Sequence, residues 1–158
     1  MTQDYIDWMN DYEIVKYTES RFTKHTEESI KKFVTAQNPI TDIIWGIFNG
    51  KNDRHIGNIK LGNIHPIHKY ADIGFVLEKK EFWGHGIMCE SVKLICDYGF
   101  DNLGLHSIIG GVYEPNIGSR RVFEKNGFSL VGTDKQKMYF EGRFIDCYHY
   151  QKIAGSQK

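Results

Sequence analysis

A four-residue segment in the middle of the chain, Trp83-Gly84-His85-Gly86, has the composition of a site for phosphate groups. A short apolar run precedes it and a long amphipathic run follows it, so it is predicted to join a strand to a helix. Glycines at such a junction leave the first backbone N–H groups of the helix uncrowded by side chains. Unpaired amides and the helix dipole both favour an anion there. The sequence therefore predicts a binding site for a cofactor that carries a diphosphate.

Hydrophobic periodicity predicts the elements around this turn. Apolar runs bounded by turn residues indicate strands at Ile43–Phe48, His55–Ile64, Ala71–Leu77 and Ser107–Tyr113. The helix after Gly86 carries one apolar stripe made of Met88, Val92, Ile95 and Gly99, and a second made of Ile87, Ser91, Leu94 and Tyr98. Two adjacent stripes predict that this helix packs broadly against a sheet.

Both ends of the chain extend the pattern. Residues 3–17 are predicted to be helical with a break near Asn10-Asp11, Thr26 to cap a second helix that ends near Gln37, and residues 49–53 to form a hairpin turn. Pro115-Asn116 opens a further helix that Asn126-Gly127 ends. The last strands are expected at Phe128–Val131, Lys137–Phe140 and Phe144–Ile153. The predicted fold class is α+β, with a mixed, mostly antiparallel sheet flanked by helices.

Size and charge narrow the class of protein. The 158 residues, 41% hydrophobic and 25% charged, predict one globular domain over residues 1–158. Lys plus Arg equals Asp plus Glu at 20 each, so no net charge recruits nucleic acid or a membrane. The polar start MTQDYIDW is unlike a signal peptide, and three cysteines without a C-x-x-C pair are expected to stay reduced. A cytoplasmic protein is expected.

The order of motifs along the chain resembles that of an enzyme family. After the Trp83-Gly-x-Gly86 turn come Asn116-x-x-Ser119, then Phe123-x-x-Asn126-Gly127-Phe128, and then YFEGRFID at Tyr139–Asp146. Together they resemble the GNAT superfamily of acetyl-CoA-dependent acetyltransferases. Within it, they are similar to the branch that contains ribosomal-protein N-terminal and aminosugar acetyltransferases. The likeness covers roughly residues 43 to 153.

This resemblance implies acetyl-CoA as cosubstrate and no metal. It also implies that strand 73–77 splays away from strand 107–113, so that its unpaired edge binds the pantetheine arm in the cleft between the two strands. The residues expected to bind CoA are Phe75, Val76, Leu77, Trp83, Gly84, His85, Gly86, Ile87, Asn116 and Phe123.

Catalytic roles are implied for two residues at the start of the second large helix. Asn116 is expected to hydrogen-bond the pantetheine, and the Ser119 hydroxyl to donate to the sulfur. Two plainer interpretations stay open, since Asn116 has the type and place of a helix cap and Ser119 of a small packing residue. Arg120, Arg121 and Lys125 are further candidates for phosphate contacts.

Two features depart from the family pattern. Glu81 occupies a position where the family often has Gln or Arg, so phosphate binding there would rest on backbone amides alone, those of residues 83–87. The family also begins with a strand before its first helix, and this sequence starts inside the helical pattern. The first family strand is therefore expected to be absent, which would expose a sheet edge that another chain could cover, and a homodimer is possible.

The general base has several candidates and no assignment. Members of the branch that acetylate ribosomal proteins place a glutamate where this sequence aligns Met138. Other candidates are Asp72, Glu141, His65 and His68, and a water relay without a dedicated base stays open. The pair His65-x-x-His68 has no third metal ligand beside it, which favours a turn over a zinc site.

The acceptor also has alternatives. The segment from Lys16 to Phe22 resembles acetyltransferases that act on amino groups of nucleotide-linked sugars, and Tyr17, Glu19, Arg21, His25 and Trp45 are the candidates for its pocket. The leading hypothesis is therefore an N-acetyltransferase that acts on a small primary amine, such as a nucleotide-linked aminosugar. The alternatives are acetylation of a protein N-terminal amine and a non-catalytic acyl-CoA sensor.

Overall fold

A single six-stranded sheet forms the centre of the computed structural model, which describes residues 3–50, 52–78 and 80–155. The strands lie in the order β1-β2-β3-β4-β6-β5. Their bounds are β1 Ile43–Asn49, β2 Arg54–Gly62, β3 Tyr70–Leu77, β4 Ser107–Tyr113, β5 Ser129–Phe140 and β6 Arg143–Ile153. Neighbouring strands are antiparallel except β3 and β4, which run parallel. The predicted α+β class, with its mixed and mostly antiparallel sheet, is confirmed.

In the part of the chain that the structure describes, five α-helices flank the sheet: α1 Gln3–Met9, α2 Tyr12–Val15, α3 Glu27–Thr35, α4 Ile87–Asp101 and α5 Ile117–Lys125. Short 3₁₀ turns lie at Glu19–Phe22 and Lys80–Phe82. The predicted caps act as expected, since the Asp11 side chain accepts from Glu13 and Thr26 forms a reciprocal pair of hydrogen bonds with Ser29. No described helix has the length and apolar character needed to cross a bilayer.

The helices divide between the two sides of the sheet. Helices α4 and α5 cover one side, called here the α4/α5 face, where Val92 and Phe123 pack on inward side chains of the central strands. Tyr5 and Trp8 of α1 and Ile30 of α3 cover part of the other side, called here the N-terminal face. The sheet is therefore enclosed on one side and partly open on the other.

Helix α4 packs on a narrower surface than predicted. The first predicted stripe is buried, with Val92 at 0% exposure. The second is not, because Leu94 is 60% exposed and Tyr98 is 38% exposed. The second stripe contacts the sheet only in part, since Ile87 packs against the core and the Tyr98 ring lies 5.5 Å from that of Trp45. The packing of α4 is therefore narrower than predicted.

The C-terminal hairpin also differs from prediction. The segments predicted as two strands, at Phe128–Val131 and Lys137–Phe140, belong to the single strand β5 except for Phe128, which precedes it. A register shift between Asp134 and Met138 accommodates the polar residues that separate them, with Gln136 at a φ of 52°. In the predicted turn at residues 49–53, Lys51 lies outside the described residues.

Gly110 of β4 lies directly under the Phe123 ring, which is 2% exposed and stacks on Tyr150 at 5.7 Å between ring centroids. A Cβ atom at Gly110 would lie 2.8 Å from Cε1 and 2.9 Å from Cε2 of that ring. Such distances require the ring or the strand to shift. The absence of a side chain at Gly110 thus allows α5 to pack on the sheet.

We expect Gly110→Ala to lower the free energy of unfolding by about 1–3 kcal/mol, the cost of overpacking a closed core. Gly111→Ala is the matched control, because a Cβ there meets one atom, Cys147 Sγ, at 3.8 Å. Urea unfolding of both variants measures the difference. Equal stability of the two variants would contradict the packing described for Phe123.

Candidate active site

Strands β3 and β4 separate partway along their length. Among the described residues they pair at three positions, and the last is Asp72 with Ile109. Beyond it, β3 continues to Leu77 on its pairing with β2, and β4 continues to Tyr113 on its pairing with β6. The space between residues 73–77 and 110–113 is called here the strand gap. The splay predicted for these two strands is confirmed.

Backbone groups of β3 face the strand gap at alternate residues. The Glu78 N–H donates to the Ile56 carbonyl at 2.7 Å, across the β2 side. Because main-chain groups alternate in direction along a strand, those of Phe75 and Leu77 point the other way, into the gap. Those of Val76 point toward β2. Of the three predicted pantetheine contacts, Phe75 and Leu77 therefore present main-chain groups to the gap and Val76 does not.

The glycine turn, Trp83–Gly86, lies between the end of β3 and α4. Gly84 and Gly86 have φ values of 81° and 83°, which a residue with a Cβ adopts at a cost. Gly86 is the N-cap of α4 and makes no side-chain cap bond, so the first-turn amides of this 15-residue helix have no capping side chain. Trp83 Nε1 donates to the Leu77 carbonyl at 3.3 Å, which ties the turn to the strand gap.

Glycine and histidine leave this turn open to solvent. Gly84, His85 and Gly86 are exposed, and Ile87 is half-buried at the start of α4. A Cβ at Gly84 or Gly86 would meet no described atom within 4 Å. Glu81 is exposed in the preceding 3₁₀ turn. The turn can therefore hold an anion through its backbone, with no cation supplied at position 81.

The start of α5 faces the same region from the β4 side. Asn116 caps the helix, since its Oδ1 accepts from the Ser119 N–H at 3.1 Å. The plainer interpretation of Asn116 is thereby confirmed, while its contact with a cofactor stays a prediction. Ser119 is half-buried, and its hydroxyl makes no hydrogen bond within the described part of the chain. That hydroxyl is therefore available as a donor.

Phe123 and Arg120 are engaged with the protein itself. The Phe123 ring packs against Phe75 at 5.3 Å between centroids, beneath the floor of the strand gap, and its burial leaves it almost no surface for a cofactor. Arg120 donates to the Tyr150 hydroxyl at 3.4 Å and lies over the Tyr148 ring. Phe123 thus supports Phe75 from within the core, and its predicted contact with CoA is untested.

The predicted acceptor residues assemble in part. Tyr113, at the end of β4, donates to Glu19 Oε1 at 2.5 Å. Burial is the larger cause and this hydrogen bond the second cause that raise the pKa of Tyr113 far above its ordinary value. Arg21 donates to the Lys16 and Tyr139 carbonyls at 2.6 and 3.0 Å. Tyr17 stacks on Phe140 nearby at 5.3 Å. Three of the five candidates thus meet at the end of β4.

The other two candidates do not join this group. Trp45 lies on the α4/α5 face, with its ring 5.5 Å from that of Tyr98 in α4, so its predicted place in the acceptor pocket is wrong. The sequence could not show which face of the sheet Trp45 occupies, because the face of a strand residue depends on register. His25 is held by its own loop, where its Nε2 lies 3.0 Å from the Ser20 carbonyl.

An open cavity of about 700 Å³ lies beside the last paired residues of β3 and β4. Its lining includes Asp72, Asp42, Asn63, His65 and Tyr70. Asp42 pairs with Lys60 at 2.8 Å, and that hydrogen bond lowers the pKa of Asp42. Asp72 accepts from Asn63 at 2.7 Å and has no cationic partner among the described residues. This cavity therefore offers a polar, net acidic surface next to the strand gap.

The remaining base candidates are occupied or apolar. Nδ1 of His65 accepts from the Ile67 and His68 amides at 3.3 and 3.0 Å, so the His65/His68 pair closes a turn. Glu141 accepts from the Tyr12 hydroxyl at 3.3 Å. Met138 packs in an apolar cluster with other side chains of the hairpin.

Asn126 has a role that the sequence did not reveal. Its Nδ2 donates to the Cys89 carbonyl at 3.1 Å, to Cys89 Sγ at 3.3 Å and to the Val122 carbonyl at 2.9 Å. Asn126 therefore joins the end of α5 to the first turn of α4. In the sequence it indicated the end of a helix and formed part of the motif Phe123-x-x-Asn126-Gly127-Phe128, with no contact assigned to its side chain.

Comparison with known proteins shows which family and which relatives this chain resembles. The family model described as "Acetyltransferase (GNAT) domain" matches residues 2–129. The chain is 36% identical over 138 residues to a probable N-acetyltransferase of Bacillus subtilis, a match that covers 87% of this chain and 71% of that relative. It is 29% identical over 107 residues to the ribosomal-protein-serine acetyltransferase of Escherichia coli, covering 68% of this chain and 59% of that protein.

Solved structures share the fold. The spermidine N-acetyltransferase of Vibrio cholerae, determined with CoA and spermine, superposes with a TM-score of 0.80 at 21% identity and covers 94% of this chain and 87% of its own. An acetyltransferase of Bacillus anthracis superposes with a TM-score of 0.78 at 24% identity, covering 94% and 86%. The fold is thus shared with these proteins.

Proposed function

Because the chain belongs to the GNAT family of acetyl-CoA-dependent N-acetyltransferases, we propose that it moves the acetyl group of acetyl-CoA to the primary amine of a small molecule. The observation that carries this proposal is the alignment of two features. The strand gap ends at the glycine turn, and the Trp83–Leu77 hydrogen bond fixes one against the other. This hydrogen bond therefore joins the strand whose main-chain groups face the gap to the turn that precedes the first amides of α4.

In this proposal, the amides of residues 83–87 bind the pyrophosphate of CoA. Exposed first-turn amides and the dipole of α4 supply the attraction for the anion. The main-chain groups of Phe75 and Leu77 then pair with the pantetheine arm in the strand gap. An N–H on this strand polarises the thioester carbonyl and stabilises the oxyanion that forms during attack.

Helix α5 acts on the opposite side of the gap. Asn116 holds the first turn of α5 through its cap and presents the rest of its amide to the pantetheine. Ser119 donates its free hydroxyl to the sulfur, which lowers the cost of releasing the thiolate. Both residues are proposed as catalytic.

We expect Ser119→Ala to lower kcat about tenfold, with little change in the Kd for CoA. The loss of one hydrogen bond to a developing charge is worth roughly 1.5–3 kcal/mol at most. Steady-state kinetics and calorimetry with CoA measure the two effects. Ser91→Ala is the control, because Ser91 lies on α4 and its hydroxyl donates within that helix at 2.9 Å. An unchanged kcat for Ser119→Ala would leave Ser119 with a packing role.

The proposed acceptor is a small amine, and the more specific proposal is a nucleotide-linked aminosugar. The polar and aromatic group made by Glu19, Arg21 and Tyr17 supports a sugar, and the cavity beside Asp72 supports a positively charged amine. The structurally similar Vibrio cholerae protein is named for spermidine, which adds polyamines to the amines to be tested.

A protein N-terminal amine is the second candidate, since the Escherichia coli relative is named for a ribosomal protein. Met138 lies in an apolar cluster. It argues against that substrate, because the family resemblance implies a glutamate at this position in enzymes that acetylate ribosomal proteins.

The test follows release of the CoA thiol from acetyl-CoA with three amine classes, which are nucleotide-linked aminosugars, polyamines and peptides with free N-termini. We expect turnover with a small amine and none with the peptides. Turnover with the peptides alone would support the second candidate. Thermal stabilisation by CoA without turnover of any amine would indicate an acyl-CoA sensor.

Two further properties belong to the proposal. A cytoplasmic location fits the three free thiols, of which Cys96 is buried so deeply that its pKa rises to about 12. A homodimer is proposed for the assembly, with the exposed edge of β1 as one surface that a second copy could cover.

A further inference from the structure

A histidine and a carboxylate form a pair on the N-terminal face, and neither residue has been assigned a catalytic role above. His149 Nε2 of β6 lies 2.8 Å from Asp134 Oδ2 of β5. His149 belongs to this face because its neighbour Tyr150 points to the other, where it stacks on Phe123. The His149 side chain is 33% exposed and the Asp134 side chain 43%. A solvent-accessible imidazole is thus oriented by a carboxylate.

The orientation of the ring leaves one nitrogen free. Cδ2 of His149 lies 3.9 Å from where a Cβ at Gly132 of β5 would be, and Nε2 bonds Asp134 on the same strand. The Cδ2–Nε2 edge therefore faces β5, and the Nδ1 edge is turned away from it. Nδ1 makes no hydrogen bond within the described chain. A carboxylate on Nε2 favours the tautomer with the proton on Nε2, which leaves Nδ1 as a proton acceptor.

This imidazole lies one strand away from the strand gap. In the register of β4 and β6, His149 is opposite Gly111, which is exposed and carries no side chain. Gly74 occupies the same face on the far side of the gap, and a Cβ there would enter open space. With adjacent strands about 4.8 Å apart, Nδ1 lies within direct or single-water reach of an amine that enters the gap over these glycines.

The charged groups around His149 favour its role as an acceptor. Hydrogen bonds from Lys137 and then from His149 lower the pKa of Asp134, so this carboxylate is ionised at neutral pH. On β6, Cys147 lies two residues away on the same face, and burial raises the pKa of its thiol. On β4, the titratable group on this face is Tyr113, bonded to Glu19. Within the described chain, the free acceptor atom next to Gly111 is therefore Nδ1.

Other carboxylates and histidines near the gap are less suitable. Asp72 accepts from Asn63, Glu19 from Tyr113, and His65 uses its Nδ1 in a turn. Imidazole is also the side chain that ordinarily titrates nearest to neutral pH, where a general base works best.

We propose that His149 is the general base of the acetyl transfer and that Asp134 is its positioning residue. This inference rests on the proposed function. The amine nitrogen attacks the thioester carbonyl carbon, a C–N bond forms, and the carbonyl becomes an oxyanion. Nδ1 of His149 takes the proton that the nitrogen loses. The C–S bond then breaks as the carbonyl re-forms, CoA leaves as a thiolate, and the imidazolium proton passes to that thiolate or to water.

The experiment uses the full chain and the amine that gives the highest turnover in the acceptor test. We expect His149→Gln to lower kcat about a hundredfold and to remove the acid limb of the pH profile of kcat/KM, while the Kd for CoA and the thermal unfolding temperature stay unchanged. Asp134→Asn is expected to lower kcat about tenfold and to shift that limb, with KM little altered. His106→Gln, an exposed histidine just before β4, is the control.

A second measurement is independent of turnover. Nitrogen-15 NMR of the histidine rings in the wild-type protein is expected to show His149 with its proton on Nε2. A proton on Nδ1, or a His149→Gln variant with wild-type kcat and an intact acid limb, would overturn the assignment. If the proposed function itself is wrong, the wild-type protein will release no CoA thiol from acetyl-CoA with any of the three amine classes, and the acceptor test on the wild-type protein alone detects that failure.

Discussion

Gly86→Glu is expected to weaken CoA binding about a hundredfold, which is ~2.8 kcal/mol. Gly86 is the N-cap of α4 at a φ of 83°, and the space beside it is open. A glutamate there would place a carboxylate where the pyrophosphate is proposed to bind. The loss of one or two hydrogen bonds to a charged phosphate, at roughly 1.5–3 kcal/mol each, accounts for the size of the effect. Isothermal calorimetry with CoA measures it.

The backbone strain of this substitution needs a matched control. Gly104, in the loop between α4 and β4, also has a positive φ, 63°, and open space beside it. Gly104→Glu should lose a similar amount of stability and keep the wild-type Kd for CoA. If both variants bind CoA equally well, the phosphate site is not at the glycine turn.

Arg54→Met is expected to lower the free energy of unfolding by about 3–5 kcal/mol, the cost of leaving a buried charge without its partner. The Glu78 side chain is 2% exposed, and its Oε1 lies 2.6 Å from Arg54 Nη2. Asp4, a second carboxylate beside Arg54 at 3.3 Å, is largely exposed and stays hydrated when Arg54 is replaced, so the cost falls on Glu78. Denaturant unfolding measures the loss.

The double variant Arg54→Met/Glu78→Met shows whether the lost stability comes from leaving Glu78 buried without a partner or from losing the ion pair itself. Glu78 Oε2 and Arg54 Nε are buried without hydrogen-bond partners in the described chain, so the pair is imperfectly satisfied. Replacing both members by apolar side chains should therefore recover most of the stability lost in the single variant. A single variant that loses less than about 1 kcal/mol would instead indicate an ion pair of the solvent-exposed kind.

Local signals predicted most of the elements that hold the site. Strand β4 has the predicted bounds, and α5 begins after Asn116 and ends before Gly127, because caps and left-handed glycines act within a few residues of themselves. The splay of β3 from β4 came from the resemblance to a family. The glycine turn could be predicted from the sequence because its proposed binding groups are backbone amides, which glycine leaves uncovered.

Contacts that depend on tertiary structure were not predictable in this way. β5 is continuous because Asp146 of the neighbouring strand accepts from the Gln136 amide and from Lys135, across a bulge that no local pattern fixes. The contact of Asp134 with His149 depends on a second register shift in β5, between Leu130 and Gly132, which sets Gly132 opposite His149. Trp45 was assigned to the wrong face because the face of a strand follows from its register with neighbours.

The most direct test of the central claim is an NMR titration of backbone amides with CoA. The backbone around the glycine turn and along β3 is proposed to bind the cofactor, so the largest shift changes are expected at Gly84–Ile87 and at Phe75 and Leu77. Smaller changes are expected at the start of α5. Saturable binding that leaves these amides unshifted, or no binding at all, would contradict the proposed site.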